Sequence, residues 1–420
     1  MNSFAELGVR PRTLETLLRL HISAPTDVQT AAIPILQAGR DCLIQSPTGS
    51  GKTLAFLIPM VEKLRGHQRG APRALIVTPT RELATQIGVV LAQLDPGLRR
   101  ALVFGGVGYG GQISSLAGAD VIIGCPGRLV DLSDRGAAPL AAVEFLVLDE
   151  ADEMLDAGFA KDVEKLVSRT KQRTATMQRL TVLASATMPD WVTQMARKHM
   201  VDPAQVAVAS VGDSQLEHGL FSVQRAEKVA VLSHLLKRSD STIVFHRTKH
   251  GTKKLARDLI ALGHSTSELQ GNLSQAARDR AIAAFRRRET SVLVATNVAA
   301  RGIDVLDVDL VVNYELPDTA DWLTHRVGRT ARNGASGRAL TFLSEDDGEK
   351  WRKLRRLGAP ALQFVDTAQL LNAGTMTFLA HKPEHETGPS TPVRTHARPP
   401  ARRSFGRGPR PGMSPGRRSG

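Results

Sequence analysis

Short runs of apolar, mostly β-branched residues alternate with helix-length segments along most of this chain, and this alternation limits the possible folds more than any other feature. The runs occupy residues 41–44, 74–78, 101–104, 120–124, 144–150 and 180–185, and then 241–246, 291–296, 309–314 and 338–343. Strands separated by helices in this way are typical of βαβ units, in which helices cover both faces of a parallel sheet. We therefore predict an α/β fold with two parallel-sheet domains.

A polar stretch at 208–219 separates the two series of predicted strands. It indicates a first domain at 1–206, a linker at 207–217 and a second domain at 218–365. The length of 420 residues is sufficient for two domains that each bury a core of their own.

The end of the chain has a different composition. Residues 381–420 contain eight Pro and six Gly, and nine Lys and Arg against two Glu, a net of +7 out of +14 for the whole chain. Such a composition is typical of low-complexity disorder, so we expect a disordered Arg/Gly/Pro-rich tail at 366–420. Its charge predicts a polyanionic partner. The alternative is a solubilising terminus without a partner.

Hydropathy and cysteine content exclude several classes of protein. No window approaches the ~18 consecutive apolar residues of a membrane span, and the N-terminus has no apolar run after a basic start. The two cysteines, Cys42 and Cys125, cannot form a disulfide framework or a structural zinc site. We expect a cytoplasmic protein without a membrane partner.

A glycine-rich loop at 46–53 lies between a predicted strand and a predicted helix. A loop in that position directs backbone N–H groups and a helix N-terminus at phosphate oxygens. Lys52 adds a cation near the β- and γ-phosphates, and the Thr53 hydroxyl can bind Mg²⁺. The predicted nucleotide-binding residues are Ser46, Pro47, Thr48, Gly49, Ser50, Gly51, Lys52 and Thr53.

Two acidic residues, Asp149 and Glu150, end a predicted strand about a hundred residues later. In enzymes with such a phosphate loop, a neighbouring strand supplies an Asp that holds Mg²⁺, and an adjacent Glu can deprotonate the attacking water. We therefore predict Thr53 and Asp149 as metal ligands, and Lys52, Asp149 and Glu150 as catalytic residues.

The string Asp149-Glu150-Ala151-Asp152 resembles the DEAD-box ATP-dependent RNA helicases of superfamily 2, and the resemblance extends over about residues 4–340. It implies two tandem RecA-like domains, with ATP and Mg²⁺ as cofactors. It also implies that Gln29 reads the adenine edge and that Phe4 stacks on the adenine ring. An ordinary core position in a terminal helix is the alternative for Phe4.

Other motifs of this family follow the predicted strands, where Gly, Thr and Arg offer N–H, hydroxyl and guanidinium donors to phosphates. The resemblance assigns RNA contacts to Thr80, Arg81, Gly106, Gly127, Arg128, Thr248, Gln270, Gly271, Thr296 and Arg301, with Gln275 and Arg278 nearby. It assigns the coupling of hydrolysis to domain closure to Ser185 and Thr187. For any single motif, a solvated turn is the alternative.

The second domain has no phosphate loop but carries regularly spaced arginines. Arginines three residues apart lie along one side of a helix or loop, where they could reach a γ-phosphate held by the other domain. The resemblance makes Arg329 and Arg332 arginine fingers, brings Asp304 to the ribose or to the fingers, and couples His325 and Arg326 to the first domain. A basic solvated face is the alternative.

The sequence departs from the family pattern at several positions. Ser46 replaces Ala, Cys125 replaces Thr, Asn297 replaces Asp, and Ala331 and Asn333 replace small residues. None of these changes removes a charge that hydrolysis needs. Asn297 is the one that could alter RNA contacts or domain closure.

The motifs together predict an ATP-dependent RNA helicase that binds RNA across two domains and couples hydrolysis to local unwinding or remodelling. One alternative is an ATP-gated RNA clamp or chaperone with little processive unwinding, and another is a DNA-directed motor. Because only 4% of the residues are aromatic, we expect sequence-independent recognition through phosphate and 2′-OH groups. We expect a monomer with ribonucleoprotein or ribosome-assembly partners; the RNA and the pathway are not specified by the sequence.

Overall fold

Two parallel sheets, each with its own helices, make up the part of the chain that the computed structural model describes, residues 3–47, 49–66, 70–170, 179–208, 216–300, 308–330 and 337–365. We call residues 3–208 the first lobe and residues 216–365 the second lobe. Both lobes belong to one compact unit. The predicted α/β fold with two parallel sheets is confirmed.

The first lobe has seven strands within its described residues, and all neighbouring pairs are parallel. They are β1 (Cys42–Gln45), β2 (Ala74–Val77), β3 (Arg100–Val103), β4 (Val121–Gly124), β5 (Phe145–Leu148), β6 (Leu180–Ser185) and β7 (Ala204–Ala207). Their order across the sheet is β3-β4-β2-β5-β6-β1-β7. Because the strands are parallel, the loops that follow them meet at one edge of the sheet.

Helices cover both faces of this sheet. They are α1 (Pro11–Arg19), α2 (Asp27–Gln37), α3 (Lys52–Leu64), α4 (Arg81–Leu94), α5 (Tyr109–Leu116), α6 (Pro126–Asp134), α7 (Ala151–Asp156), α8 (Ala160–Arg169) and α9 (Asp190–His199). Every residue of β2, β4 and β5 is buried, which explains why these strands are continuous apolar runs. One apolar cluster lies on each face.

The second lobe repeats this plan with strands β8 (Leu216–Ser222), β9 (Thr242–Phe245), β10 (Thr266–Leu269), β11 (Val292–Ala295), β12 (Leu310–Asn313), β13 (Gly337–Leu343) and β14 (Gln363–Phe364). The order across the sheet is β10-β11-β9-β12-β13-β8-β14, again with parallel pairs. The helices are α10 (Lys228–Leu236), α11 (Lys249–Ala261), α12 (Gln275–Arg286), α13 (Asn297–Ala300), α14 (Ala320–Val327) and α15 (Gly348–Arg356).

The predicted linker and tail lie largely or wholly outside the described residues. Strand β7 ends at Ala207 and β8 begins at Leu216, so most of the linker at 207–217 falls in the undescribed range 209–215. The tail at 366–420 is outside as well. In the part of the chain that is described, none of the helices is long and apolar enough to cross a membrane.

Candidate nucleotide and nucleic-acid site

The glycine-rich loop follows β1 and is attached to the rest of the first lobe through Gln29. The Gln29 side chain accepts a hydrogen bond from the Thr26 N–H at 3.0 Å and donates one to the Gly51 carbonyl at 3.1 Å. Gly51 has a φ of 97°, and a Cβ atom there would lie 2.5 Å from Gln29 Nε2. Glycine is therefore required at position 51, both by the backbone conformation and by the close approach of Gln29.

Lys52 begins α3 and is buried, with 7% of its surface exposed. Its ammonium donates to the carbonyl oxygens of Ser46 at 2.6 Å and Pro47 at 2.8 Å. The Ser46 hydroxyl donates to the Ser50 hydroxyl at 2.6 Å. The polar groups of the loop thus bind one another, and Thr53, which is half-buried, follows Lys52 on the first turn of α3. Thr48 lies outside the described residues.

Asp149 and Glu150 follow β5 at the same edge of the sheet. Asp149 is 3% exposed and accepts a hydrogen bond from the Glu150 N–H at 3.0 Å. Burial raises the pKa of Asp149 to about 6, with the Lys52 charge opposing the shift. Burial, and then the charges of Glu153 and Asp149, raise the pKa of Glu150 to about 7, while Arg329 and Lys52 lower it. A carboxylate with such a pKa can accept a proton near neutral pH.

The backbone of Glu150 is unusual because its φ is 52°, in the left-handed region. A residue other than glycine adopts this region at a cost of about 1–3 kcal/mol, and such residues cluster at functional sites. The strained turn leads directly into α7, which begins at Ala151.

The oxygen groups of Asp149 and Thr53 suit Mg²⁺, which is commonly bound by one or two carboxylates together with substrate phosphates. Within the described residues there is no group of three or more His, Cys, Asp and Glu side chains that could hold a metal ion by itself. A magnesium ion at this site would therefore depend on the phosphates of the nucleotide for most of its ligands.

Asp152 connects the acidic strand end to the loop that follows β6. Its carboxylate accepts hydrogen bonds from the Thr187 N–H and the Thr187 hydroxyl, both at 2.8 Å, and its N–H donates to the Ser185 hydroxyl at 3.2 Å. Ser185 also contacts the phosphate loop, because its carbonyl accepts from the Ser46 N–H at 3.0 Å. Sequence reasoning assigned no role to Asp152, although the residue is part of the string that carries the family resemblance.

Arg329 belongs to the second lobe and lies close enough to Glu150 of the first lobe to lower its pKa. Only 8% of Arg329 is exposed. A small cavity between the lobes is lined by Glu153 from the first lobe and by Arg326, Arg329 and Asn297 from the second. The structure therefore places one predicted arginine finger within electrostatic range of the predicted base, across the two lobes.

Arg326 is almost fully buried and is held by neutral groups. It donates to Asn297 Oδ1 at 2.7 Å, to Asn313 Oδ1 at 3.0 Å and to the Glu315 carbonyl at 2.9 Å, and it lies over the Phe245 ring at 5.0 Å. Burial lowers the pKa of Arg326 to about 9. Asn297, a departure from the family pattern, is thus a direct partner of Arg326. No sequence signal pointed to Asn313.

Two polar contacts join the lobes at another place. Arg278 forms two hydrogen bonds to Glu82 Oε1, at 2.9 and 2.7 Å, and Arg81 donates to Gln275 Oε1 at 3.0 Å. Both members of the ion pair are largely buried, with 13% and 9% of the side chains exposed. Gln275 and Arg278, which the family resemblance assigned to the RNA-facing surface, contact the first lobe here.

The predicted RNA contacts of the first lobe follow β2, β3 and β4. Thr80 caps α4 by accepting from the Leu83 N–H at 3.3 Å. Gly106 packs under Arg81, and a Cβ atom at Gly106 would lie 2.2 Å from the Arg81 guanidinium. Gly127 is in the first turn of α6, and Arg128 donates to the Val107 carbonyl at 3.1 Å.

The predicted RNA contacts of the second lobe follow β9, β10 and β11, which are the equivalent strands. Thr248 caps α11 by accepting from the Gly251 N–H at 3.1 Å. Gln270 and Thr296 are 6% exposed, and a Cβ atom at Gly271 would lie 3.0 Å from Lys249. These positions have the same placement in their sheet as those of the first lobe.

Several predicted residues cannot be placed in the site. Arg301, Asp304 and Arg332 lie outside the described residues, and His325 is in α14 but its side chain is not described. Phe4 is 4% exposed and belongs to the apolar cluster of the first lobe, which agrees with the core position given as the alternative, but it lies in a turn before α1 and not in a helix.

Comparison with known proteins agrees with this arrangement. The family model for DEAD/DEAH box helicases matches residues 26–195, and the model for the helicase conserved C-terminal domain matches residues 227–334. The ATP-dependent RNA helicase DeaD of Mycobacterium tuberculosis is 40% identical over 352 residues, which are 81% of this chain and 61% of that relative. This chain therefore spans about three fifths of the length of the mycobacterial protein.

Two further similarities extend over both lobes. RNA helicase CrhR of Synechocystis is 39% identical over 354 residues, which are 82% of this chain and 70% of that protein. The structure of S. cerevisiae Dbp5 bound to RNA and ADP BeF3 has a TM-score of 0.76 and 30% identity, and the match covers 87% of this chain and 96% of that one. With the two family models matched in order along both sheets, this chain belongs to the DEAD-box family of RNA helicases.

Proposed function

We propose that this chain hydrolyses ATP between its two lobes and uses the cycle to bind RNA and to unwind or remodel short duplexes. The observation that carries the proposal is the position of Arg329, whose charge lowers the pKa of Glu150 although the two residues belong to different lobes. A base on one lobe and a phosphate-binding arginine on the other form a complete site only when the lobes are together.

In the nucleotide site, Lys52 and the N–H groups of the loop bind the β- and γ-phosphates, and Thr53 and Asp149 are the residues that would hold Mg²⁺. A bound Mg²⁺ would supply positive charge that neutralises part of the charge of the phosphates. Glu150 orients the attacking water and accepts its proton as the new P–O bond forms and the bond to the leaving ADP breaks. Arg329 stabilises the charge of the transferred group, with Arg332 proposed as a second finger. Gln29 is proposed to read the adenine.

We propose that RNA binds along both lobes, on the loops that follow the carboxyl ends of the parallel strands. In the first lobe these loops follow β2, β3 and β4, and in the second they follow β9, β10 and β11. Thr80, Arg128 and Thr248 offer hydroxyl and guanidinium donors there, and such donors recognise phosphate and sugar rather than base edges. An RNA strand bound across both lobes favours the closed arrangement, and so does ATP, so each ligand increases the affinity for the other.

The hydrogen bonds of Asp152 support the proposed coupling between ATP hydrolysis and RNA binding. Its hydrogen bonds to Ser185 and Thr187 tie the acidic strand end to the loop after β6. A change in the γ-phosphate environment at Glu150 is thereby transmitted to Ser185, which also holds the phosphate loop. We further propose that the protein acts as a cytoplasmic monomer on RNA, with ribonucleoprotein or ribosome-assembly partners.

Duplex separation measured with ATP and with a non-hydrolysable ATP analogue tests this function. A short RNA duplex with a single-stranded extension should be separated in the presence of ATP, and Glu150→Gln should bind the duplex but turn over slowly. The clamp alternative predicts weak separation with either nucleotide and slow turnover of ATP. No RNA-dependent turnover and no strand separation by the wild-type chain would contradict the proposal.

A further inference from the structure

The glycine-rich loop contains a hydrogen-bonded pair of hydroxyl groups, one from Ser46 and one from Ser50. The Ser46 hydroxyl donates to the Ser50 hydroxyl at 2.6 Å, and Ser46 is 1% exposed. The family pattern has Ala at position 46, so this bond is a property of the present sequence.

The other polar groups of Ser46 are also used inside the protein. Its N–H donates to the Ser185 carbonyl at 3.0 Å, and its carbonyl accepts from the Lys52 ammonium at 2.6 Å. The Pro47 carbonyl is the second acceptor for Lys52, at 2.8 Å, and it also accepts from the Ser50 N–H at 3.4 Å. The Lys52 ammonium and the Ser50 N–H are thus bound to carbonyl groups of the loop itself.

These bonds compete with a nucleotide for the same donors. A phosphate chain binds this kind of loop through the ammonium of the lysine and through successive N–H groups. Lys52 and the Ser50 N–H must therefore exchange the Ser46 and Pro47 carbonyls for phosphate oxygens. Whatever stabilises the self-bonded loop lowers the apparent affinity for the phosphates by the same factor.

We propose that the Ser46–Ser50 hydroxyl pair stabilises the self-bonded form of the phosphate loop and thereby weakens ATP binding by this chain. Ser46 is a residue that sets nucleotide affinity through the conformation of the loop, without contact to the phosphates. This inference rests on the proposed binding of ATP by the loop. A hydrogen bond of this type contributes a net ~0.5–1.5 kcal/mol, which corresponds to an affinity change of roughly two- to tenfold.

The substitution Ser46→Ala removes the donor and restores the residue of the family pattern. Ser50 is only partly buried, so its hydroxyl can bind water after the substitution and no polar group is left unsatisfied. We expect Ser46→Ala to bind a non-hydrolysable ATP analogue with Mg²⁺ roughly two- to tenfold more tightly than the wild type, by isothermal titration calorimetry. ADP should show the same gain. Adenosine, which does not need Lys52, should show no change.

A double-mutant cycle of Ser46→Ala and Ser50→Ala tests whether the hydrogen bond between the two hydroxyl groups causes the change in affinity. If Ser46 acts through Ser50, the affinity gain of Ser46→Ala disappears in a Ser50→Ala background. Weaker binding of the ATP analogue by Ser46→Ala would show that the hydroxyl binds phosphate, and this result would overturn the inference. Unchanged affinity, or an equal gain in affinity in both backgrounds, would also overturn it. The melting temperature of each variant reports whether the fold is retained. A wild-type chain without affinity for ATP would contradict the proposed function itself, whereas a shift in the wrong direction contradicts only this inference.

Discussion

The two lobes have the same strand order and different chemistry. In each sheet, taken in chain order, the third strand is at one edge and is followed across the sheet by the fourth, second, fifth, sixth, first and seventh. The strand β1 leads into the glycine-rich loop and Lys52. Its counterpart β8 leads into residues 223–227 and then into α10, without such a loop. Within the described residues the strand order is repeated, but the glycine-rich loop after the first strand is found in the first lobe alone.

This difference explains how one site can require both lobes. The first lobe supplies the phosphate loop and the acids Asp149 and Glu150, and the second supplies Arg329. The acids are concentrated in a buried region, which raises the pKa of Glu150 to about 7, and the opposite charge of Arg329 from the other lobe opposes that shift. In the proposed function, the repeated fold divides the reaction into a binding half and a charge-stabilising half. The predictions below test that division, beginning with the largest effect.

Arg329→Ala removes the contribution of the second lobe to the reaction. Loss of an arginine finger typically lowers the rate by about 10³–10⁵, so RNA-stimulated turnover should nearly disappear while ATP binding to the first lobe is largely retained. Turnover is measured by phosphate release and ATP affinity by calorimetry. Arg352→Ala, at an exposed arginine on α15 of the same lobe, is the matched control and should have wild-type turnover. Normal turnover in Arg329→Ala would show that the second lobe does not take part in hydrolysis.

The pH dependence of turnover reports the environment of the base on the first lobe. Glu150 must be ionised to accept a proton, and its pKa is raised to about 7. We expect kcat to fall as the pH decreases through about 7, by about tenfold for each further pH unit. A pH-independent rate between pH 5 and pH 8 would contradict the assignment of Glu150 as the base.

The same shift has a consequence for stability. Because the folded-state pKa of Glu150 lies above its ordinary value of 4.5, the stability linked to its protonation is fully present below that value and is lost as the pH rises through about 7. Glu150→Gln, which is neutral at every pH, should therefore melt at a higher temperature than the wild type at pH 8. The difference should be much smaller at pH 4.5.

Substitutions of Arg278 and Glu82 test whether the ion pair between these side chains holds the lobes together. Removing either charge should reduce RNA-stimulated turnover several-fold, because the closed arrangement loses a largely buried pair. In a double-mutant cycle of Arg278→Gln and Glu82→Gln, the coupling energy should be about 0.5–3 kcal/mol. If Arg278 instead contacts RNA directly, its substitution will lower RNA affinity by the same factor with or without Glu82.

The sequence predicted the central strands better than the outer ones. β2, β4, β5, β9, β11 and β12 are fully buried apolar runs, which are visible in any reading of the sequence. The strands β7, β10 and β14 lie at sheet edges and were not predicted, because half-exposed edge strands such as β10 (Thr266–Leu269) need no apolar run. β8 (Leu216–Ser222) was missed because Glu217 and His218 interrupt its apolar pattern and are only partly buried.

The site was predictable where the chemistry is local. The phosphate loop and the two acids are recognisable from short strings that follow strands. The partners of Arg326 were not predictable, because Asn297 begins α13 and Asn313 ends β12, so the two residues meet Arg326 only in the folded lobe. The same is true of the pairing of Glu82 with Arg278, which depends on how the two lobes contact each other.

Steady-state ATP hydrolysis by the full chain, measured without nucleic acid, with single-stranded RNA and with single-stranded DNA of the same sequence, tests the central claim most directly. If ATP and RNA both favour the arrangement in which Arg329 faces Glu150, RNA should raise kcat/KM for ATP several-fold and DNA should have little effect. An unchanged rate with RNA, or equal stimulation by DNA, would contradict the account.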